Sequence, residues 1–153
     1  MTKVGNLMKQ DFPMVKPSDS ITAVARKMKK YQAETAVVCS DSKQLIGIIT
    51  QETIIATIVA NNRDSKRESA ISVMTNHTPK VSLAADVTEA AKTMATHSTN
   101  VTLVVEHGKI LGIITLDDLI RESPALGIMV MAKRIEKFAA ANAKKKETSS
   151  TGI

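Results

Sequence analysis

The chain has 153 residues and a mass of 16.5 kDa, and 43% of its residues are hydrophobic and 24% are charged. This length suits one compact domain or two small half-domains and excludes a large multidomain enzyme, while the composition excludes wholesale disorder and a collagen-like chain. The net charge of +6 comes mostly from residues 124–153, and an aromatic content of 2% leaves few rings on which bases could stack, so nucleic acid is a poor candidate partner.

Helix and strand patterns alternate in the first half of the chain. A short strand is predicted after Pro13, and Ser20 is a typical N-cap for the helix that follows. β-rich segments at residues 35–39 and 45–50 predict two strands joined by a turn, and a second helix is expected at about residues 51–60. The buried face of the first helix is predicted from helical spacing to comprise Ile21, Val24, Ala25 and Met28.

The second half of the chain repeats the same order. Asp86 caps a helix with Glu89 three residues later, strands are predicted at residues 101–105 and 110–115, and a helix is predicted at about residues 116–122. The two halves align with one slip in the turn between the strands, which a hairpin tolerates. A shift of 66 superimposes Met8 on Met74, Pro13 on Pro79, Val15 on Val81, Thr22 on Thr88 and Met28 on Met94, and a shift of 65 superimposes Gly47–Thr50 on Gly112–Thr115.

The duplication predicts an α/β (α+β) fold of two β-α-β-β-α units related by a pseudo-twofold axis. One unit of roughly 55 residues is marginal alone because it buries too little apolar surface, so the two sheets are expected to pack against each other. The unbroken apolar sequence of residues 101–105 is typical of a strand buried on both faces, which agrees with that packing. The expected boundaries are a first repeat at 4–62, a linker at 63–70, a second repeat at 71–123, an apolar helix at 124–141 and a basic disordered tail at 142–153.

The junction between a strand and a helix at Thr115 is the main candidate binding feature. Its hydroxyl and the free backbone donors of the next turn suit an anion, and the acceptor-only carboxylate of Asp118 suits the two hydroxyls of a ribose. The same residues also form a capping box, which any helix start can carry, and both interpretations can hold at once.

The paired Gly-h-h-Thr segments, each closing a repeat, resemble a tandem pair of cystathionine-β-synthase (CBS) domains, the Bateman module. The resemblance covers about residues 4–123 and implies a stand-alone regulatory module that binds AMP, ADP, ATP or S-adenosylmethionine between its repeats, without a separate cofactor. It also implies a homodimer that regulates a protein partner as yet unknown. By this analogy the ligand-binding residues are Thr78, Pro79, Lys80, Asn100, Val101, Thr102, Ile113, Thr115 and Asp118.

The first repeat departs from this pattern. Thr53 stands where the second repeat has Asp118, and Glu34, which aligns with Asn100, adds a negative charge near the expected position of a phosphate. One competent site in the second repeat is therefore expected, with a weaker or empty second site around Pro13, Ala36, Ile48 and Thr50.

The sequence lacks the patterns of an enzyme or of a metal site. His77, His97 and His107 form no metal-binding spacing, there is no phosphate-binding loop of nucleotide hydrolases, and Cys39 is expected in the core. The single cysteine, the lack of an apolar N-terminal signal and the lack of a long apolar run predict a cytoplasmic protein without a membrane segment. Two alternative functions remain open: a structural or dimerisation scaffold with degenerate clefts, and a nucleic-acid accessory factor that acts through the basic tail.

Overall fold

Each half of the chain folds into a three-stranded sheet with helices against its outer face. The computed structural model describes the backbone of residues 2–150 and the side chains of residues 2–148. The first half contains α1 (Val4–Leu7), β1 (Met14–Val15), α2 (Ile21–Tyr31), β2 (Thr35–Cys39), β3 (Leu45–Thr50) and α3 (Gln51–Ile54), which continues as a π-helical segment over Ile55–Val59. The second half contains α4 (Ala70–Val73), β4 (Lys80–Val81), α5 (Val87–His97), β5 (Val101–Glu106), β6 (Lys109–Thr115), α6 (Leu116–Glu122) and α7 (Pro124–Ser150).

Both sheets have the same topology, which confirms the predicted fold. β1 is parallel to β2, and β2 is antiparallel to β3; β4, β5 and β6 repeat this arrangement. The caps predicted from the sequence are formed, since the side chain of Ser20 accepts from Ala23 N and that of Asp86 accepts from Glu89 N. The four-residue helices α1 and α4 were not predicted, because so short a segment has no periodicity to detect.

The two sheets pack face to face around a shared core. That core draws four residues from each half and includes the fully buried Leu103. The outer face of each sheet packs on the helices, so the central strands are buried on both sides, as their unbroken apolar sequences predict. The buried residues of the shared core are Phe12, Val37, Cys39, Ile48, Val101, Leu103, Ile110 and Ile113.

The segment that opens each repeat packs against the other repeat. Lys9 exchanges two backbone hydrogen bonds with Ile113, and Thr75 exchanges two with Ile48. Val4 of α1 lies in the outer core of the second half, and Ala70 and Val73 of α4 lie in that of the first. Residues 4–9, which the sequence assigns to the first repeat, therefore belong structurally with the second sheet.

The C-terminal helix is longer than expected. α7 continues to Ser150, whereas the sequence analysis places the end of the helix near residue 141 and a disordered tail after it. Residues 142–150 are helical because alanine, lysine and glutamate are good helix formers, and a charge run alone does not end a helix. The last part of the expected tail, residues 151–153, lies outside the described residues. None of the helices within residues 2–150 has the length and hydropathy needed to cross a membrane.

The opening segments at Lys9 and Thr75, called the exchanged segments below, pack closely against one glycine in each sheet. A Cβ atom on Gly112 would lie 2.8 Å from the carbonyl oxygen of Lys9, and one on Gly47 would lie 2.7 Å from that of Thr75. Both distances are shorter than a normal van der Waals contact, and the backbone cannot rotate away as a flexible side chain can. Gly112→Ala should therefore lower the free energy of unfolding by about 1–3 kcal/mol in urea titrations, as overpacking does.

Gly5→Ala is the matched control. Its Cβ would meet only the tip of the Leu83 side chain, at 3.0 Å, and Gly5 lies in a helix, where alanine is favoured over glycine. The control should keep or gain stability. Equal stability of the Gly112→Ala and Gly5→Ala proteins would contradict the close packing of the exchanged segments.

Candidate functional site

Two clefts open between the halves, one at the end of each long hairpin. Cleft A has a volume of about 260 Å³ and is lined by Lys9, Asp11–Pro13, Tyr31–Thr35, Asn100, Val101, Ile113 and Thr115–Asp117. Cleft B has a volume of about 520 Å³ and is lined by Glu34, Thr35, Ile48, Thr50–Thr53, Thr75, His77, Pro79, His97–Val101 and Arg134. Each cleft therefore combines residues from both repeats.

The structure divides the predicted site residues differently from the sequence analysis. Thr115 lies in cleft A with Pro13 of the first half, whereas Pro79 lies in cleft B with Thr50. The sequence analysis grouped Thr115 with Pro79 of its own repeat. The exchanged segments explain the difference, because they carry residues 9–13 to the end of β6 and residues 75–79 to the end of β3. Asn100 and Val101 line both clefts, Ile113 lines cleft A and Ile48 lines cleft B.

Five predicted site residues line neither cleft, and one of them, Asp118, is buried beside cleft A. Thr102 is fully buried, and its hydroxyl donates to the carbonyl oxygen of Ala90 at 3.3 Å. Ala36 is also fully buried, in the outer core of the first half. Lys80 is exposed on β4, and Thr78 is half-buried just before that strand. Thr102 and Ala36 are therefore out of reach of any ligand.

Asp118 forms a complete capping box with Thr115. Its Oδ2 accepts from Thr115 N at 2.9 Å and from Thr115 Oγ1 at 2.8 Å, and Asp118 N donates to Thr115 Oγ1 at 3.2 Å. The other oxygen, Oδ1, contacts Lys9 Nζ at 3.3 Å and Arg121 Nη2 at 3.0 Å. The carboxylate is therefore buried next to cleft A, with one oxygen used by the helix cap and the other used by two surface cations.

The charge of Asp118 is stabilised by these contacts. Burial works to raise the pKa of this carboxyl, but hydrogen bonds from Thr115 and the ammonium of Lys9 outweigh burial, so the pKa lies below its ordinary value. The side chains of Lys9 and Arg121 are 47% and 70% exposed, so both can move into water at low cost. The Oδ1 atom is thus an ionised acceptor whose present partners are exchangeable.

Cleft A has an apolar wall and an acidic rim. Phe12, Val101 and Ile113 are buried in the shared core and line one side of the cleft. The charged groups in the lining are the carboxylates of Asp11, Glu34 and Asp117 against the single ammonium of Lys9. Two of these carboxylates are hydrogen-bonded: Asp11 accepts from Tyr31 Oη at 2.8 Å and Glu34 accepts from Asn100 Nδ2 at 3.0 Å. The Asp11 contact raises the pKa of Tyr31.

Cleft B lacks the carboxylate found beside cleft A. Thr50 Oγ1 accepts from Thr53 N at 3.1 Å, and the two hydroxyls lie 2.8 Å apart, so the cap is made by hydroxyls alone. The rings of His77 and His97 meet edge to face, with their centroids 6.4 Å apart. Within the described residues, no group of three or more His, Cys, Asp or Glu is placed to hold a metal ion. Cys39 is buried in the shared core, as expected, and burial raises its pKa.

Arg134 is a cleft residue that the sequence analysis missed, as are Lys9, Phe12 and Asp117 in cleft A. It extends from α7 into cleft B, where Nη1 donates to Asn100 Oδ1 at 2.6 Å and Nη2 donates to the carbonyl oxygen of Thr99. Its Nε is buried without a hydrogen-bond partner, and burial lowers the pKa of the guanidinium although Glu34 opposes this. An arginine inside an otherwise apolar helical stripe was the available signal.

Solved structures share this fold. A conserved CBS domain protein of unknown function from Thermoplasma acidophilum superimposes with a TM-score of 0.75 at 24% identity, over 86% of this chain and 75% of that chain. Hypoxic Response Protein I, whose structure has two coordinated zinc ions, superimposes with a TM-score of 0.72 at 22% identity, over 78% of this chain and 98% of that chain.

Sequence comparisons identify the family. Hypoxic response protein 1 of Mycobacterium tuberculosis is 24% identical over 88% of this chain and 94% of its own length. An uncharacterized protein of Bacillus subtilis is 30% identical over 78% of this chain and 80% of its own length. The sequence profile of the CBS domain matches twice, at residues 4–60 and 70–125, which is well over half of the chain. With two profile matches on two identical sheet topologies, the chain belongs to the CBS domain family and contains a tandem pair of CBS domains.

Proposed function

We propose that this CBS pair is a regulatory sensor that binds an adenosyl ligand with at most one phosphate group in cleft A. The observation that carries the proposal is the position of one ionised, buried carboxylate, Asp118, beside a cleft that has an apolar wall and is formed by both repeats. A ligand there contacts both halves at once. Its binding energy can therefore favour one arrangement of the halves over another, which is the requirement for a sensor.

The ribose and the base would use different parts of cleft A. The two ribose hydroxyls would donate to Asp118 Oδ1 in place of Lys9 and Arg121, so the carboxylate would remain fully hydrogen-bonded. The base would lie against Phe12, Val101 and Ile113. The cleft volume of about 260 Å³ lies just below the roughly 300 Å³ at which ligand pockets usually begin, so the Lys9 side chain would move aside on binding.

The charges of cleft A set the ligand class. One phosphate could pair with the displaced ammonium of Lys9 and with the hydroxyl of Thr115. Each further phosphate would face the carboxylates of Asp11, Glu34 and Asp117 with no second cation in the lining. AMP and S-adenosylmethionine therefore fit this cleft better than ADP or ATP. The sulfonium and amino groups of S-adenosylmethionine would be attracted to the acidic rim.

Cleft B is proposed as a weaker second site. It has twice the volume of cleft A, but Thr53 replaces the carboxylate that would hold a ribose. Arg134 and the two histidines give it a more positive lining, although Glu34 and Glu52 oppose them. Any ligand here would be held by its acidic groups and not by a sugar clamp.

The path from ligand to output would run through Asn100. Its amide nitrogen donates to Glu34 and its amide oxygen accepts from Arg134, so it links the lining of cleft A to α7. A ligand that binds Asn100 or Glu34 would replace one of these hydrogen bonds and change how α7 packs on the rest of the protein. The proposal includes a homodimer, a cytoplasmic location and a regulated protein partner, and it assigns no catalytic role to the chain.

A dimerisation scaffold is the second candidate function. It is favoured by one observation, the large apolar side chains that α7 leaves exposed. Ligand binding separates the two functions, because a scaffold with degenerate clefts would gain no stability from an adenosyl ligand.

Ligand-dependent thermal stability provides the first test. A ligand at about 100 times its dissociation constant adds about 2.7 kcal/mol to the stability of a protein that binds it only when folded. AMP or S-adenosylmethionine should therefore raise the melting temperature of the whole chain by several degrees, and ATP should raise it less. Adenine-free ligands such as CMP are the control. No shift with any adenosyl ligand would favour the scaffold, and a larger shift with ATP would contradict the charge argument.

Two neighbouring carboxylates should respond differently to the same substitution. Asp118→Asn replaces the charged acceptor for the ribose with a neutral amide and should weaken AMP binding about 10- to 100-fold, in line with about 1.5–3 kcal/mol for a hydrogen bond to a charged group. Asp117→Asn removes an exposed negative charge from the cleft and should leave AMP binding unchanged or tighter. Isothermal titration calorimetry measures both.

A second, cleft-filling variant distinguishes loss of the binding site from misfolding of the Asp118→Asn protein. Asp118→Asn also weakens a helix cap, so its circular dichroism and melting temperature must be compared with those of the unsubstituted chain. Ala33→Phe keeps the cap and places a ring in cleft A, so it should abolish AMP binding while the protein stays folded. Undiminished binding by either folded variant would place the site elsewhere.

A further inference from the structure

α7 covers the outer helices of the second half, and the equivalent helices of the first half are left uncovered. The alignment of the repeats pairs Ala25 of α2 with Ala91 of α5, and Ile54 of α3 with Leu119 of α6. Ala91 and Leu119 are fully buried, whereas Ala25 is exposed and Ile54 is half-buried. The prediction that Ala25 belongs to a buried face of α2 is therefore wrong, because residues 60–69 form no helix that could cover it.

The uncovered helices of the first half form a continuous groove. It consists of two adjoining cavities of about 490 and 520 Å³, which share Ala25, Lys29 and Ile54. Ile55 and Val59 line it and are 60% and 68% exposed. Both lie in the π-helical segment, a rare geometry that is frequent at functional sites. This surface, called the outer groove below, comprises Ala25, Arg26, Lys29, Ile54, Ile55 and Val59.

The second half shows what kind of element such a surface accepts. There the equivalent helices, α5 and α6, are packed against α7. Val130 of α7 is fully buried in the outer core, and Leu126 and Met129 pack against that core. Because the two halves have the same fold, the outer groove is shaped to accept one amphipathic helix through its apolar side.

The outer groove has a basic rim. Arg26 and Lys29 are exposed, and their side chains form no hydrogen bond or ion pair within residues 2–148. The third cation of the lining, Arg63, is already paired with Glu68, with 2.7 Å between Nη2 and Oε2. Among the residues that the structure describes, no acidic side chain lines either of the two cavities. Two cations without partners beside an apolar floor favour a helix that carries carboxylates along its flank.

A second copy of α7 does not match this rim. The side of α7 that faces the second half carries Lys137, which donates to the carbonyl oxygen of Thr96, and Lys133 one turn before it. The alignment places Lys30 at the position of Thr96, with Lys29 next to it. An identical helix would bring its two lysines towards the lysines of α2, and like charges at close range repel. Carboxylates at the same two positions would be attracted instead.

We propose that the outer groove binds an amphipathic helix of a different protein, one that carries acidic residues beside its apolar face. The apolar side of this helix would lie on Ala25, Ile54 and Ile55, as α7 lies on the second half. Its carboxylates would pair with Arg26 and Lys29. The proposal goes beyond the function of cleft A and does not depend on it, because no residue that defines the outer groove lines either cleft.

Fluorescence anisotropy with two labelled peptides tests the charge of the partner. One peptide has the sequence of residues 124–141, and the other is the same peptide with Lys133→Glu and Lys137→Glu. Without any adenosyl ligand, the acidic peptide should bind the full chain at least tenfold more tightly than the unsubstituted peptide. Added salt should reduce this difference, because the charges at the rim are exposed to water.

Two exposed isoleucines form a matched pair that locates the binding surface. Ile55→Glu places a carboxylate in the outer groove and should weaken binding of the acidic peptide at least tenfold, since the apolar contact is lost and the added charge repels. Ile71→Glu makes the same change on α4, outside the groove, at a position that is 58% exposed, and should bind as the unsubstituted chain does. Circular dichroism confirms that both variants fold.

A second matched pair tests the rim. Arg26→Glu should weaken binding of the acidic peptide and strengthen binding of the unsubstituted one, because it reverses a charge beside the bound helix. Lys92→Glu changes the aligned, exposed position of α5 in the second half and should leave the preference between the two peptides unchanged.

Three results overturn the proposal. One is an acidic peptide that does not bind at concentrations up to about 1 mM. Another is tighter binding of the unsubstituted peptide, which would make a second copy of α7 the occupant of the groove. The third is undiminished binding of the acidic peptide to the folded Ile55→Glu protein, which would place the peptide on another surface.

Discussion

The face-to-face packing of two small sheets is the constraint on which the rest of the structure depends. Neither sheet has enough apolar surface to fold alone, and the inner faces of β2, β3, β5 and β6 are satisfied only by each other. The exchange of the segments at Lys9 and Thr75 strengthens this dependence, because each half supplies an edge to the other sheet. Each repeat consequently depends on the other for its packing, and a change in either half affects the shared core.

The same packing creates the clefts and makes them unequal. Each strand-to-helix junction faces the opening segment of the other repeat, so both clefts have the same origin. Their chemistry differs because the second repeat has Asp118 where the first has Thr53, and because α7 extends Arg134 into cleft B alone. The duplicated fold thus carries a buried carboxylate beside one cleft and a guanidinium in the other, without any change in backbone topology.

The C-terminal helix adds a third layer to one half only. α7 packs on α5 and α6 of the second half, whereas Ile55 and Val59 of the first half remain exposed. Through Arg134 and Asn100 this helix is also linked to the lining of both clefts. A single element therefore connects the lining of the two clefts with an exposed apolar face of the second half.

The sequence alone was sufficient for the features that depend on local or repeated patterns. The duplication, the caps at Ser20, Asp86 and Thr115, the strand order and the shared core all follow from periodicity and from the need of two marginal units for a common core. Asp118 could be singled out because its chemistry and its spacing from Thr115 are local. Only the tertiary structure decided which distant segments meet: α1 crosses to the second half, Thr115 lies beside Pro13 and not Pro79, and Arg134 reaches Asn100. Periodicity shows which face of an element is buried, but it does not show which partner covers that face. Here the pseudo-twofold symmetry provides two equivalent partners, one in each half, and only the tertiary structure distinguishes them.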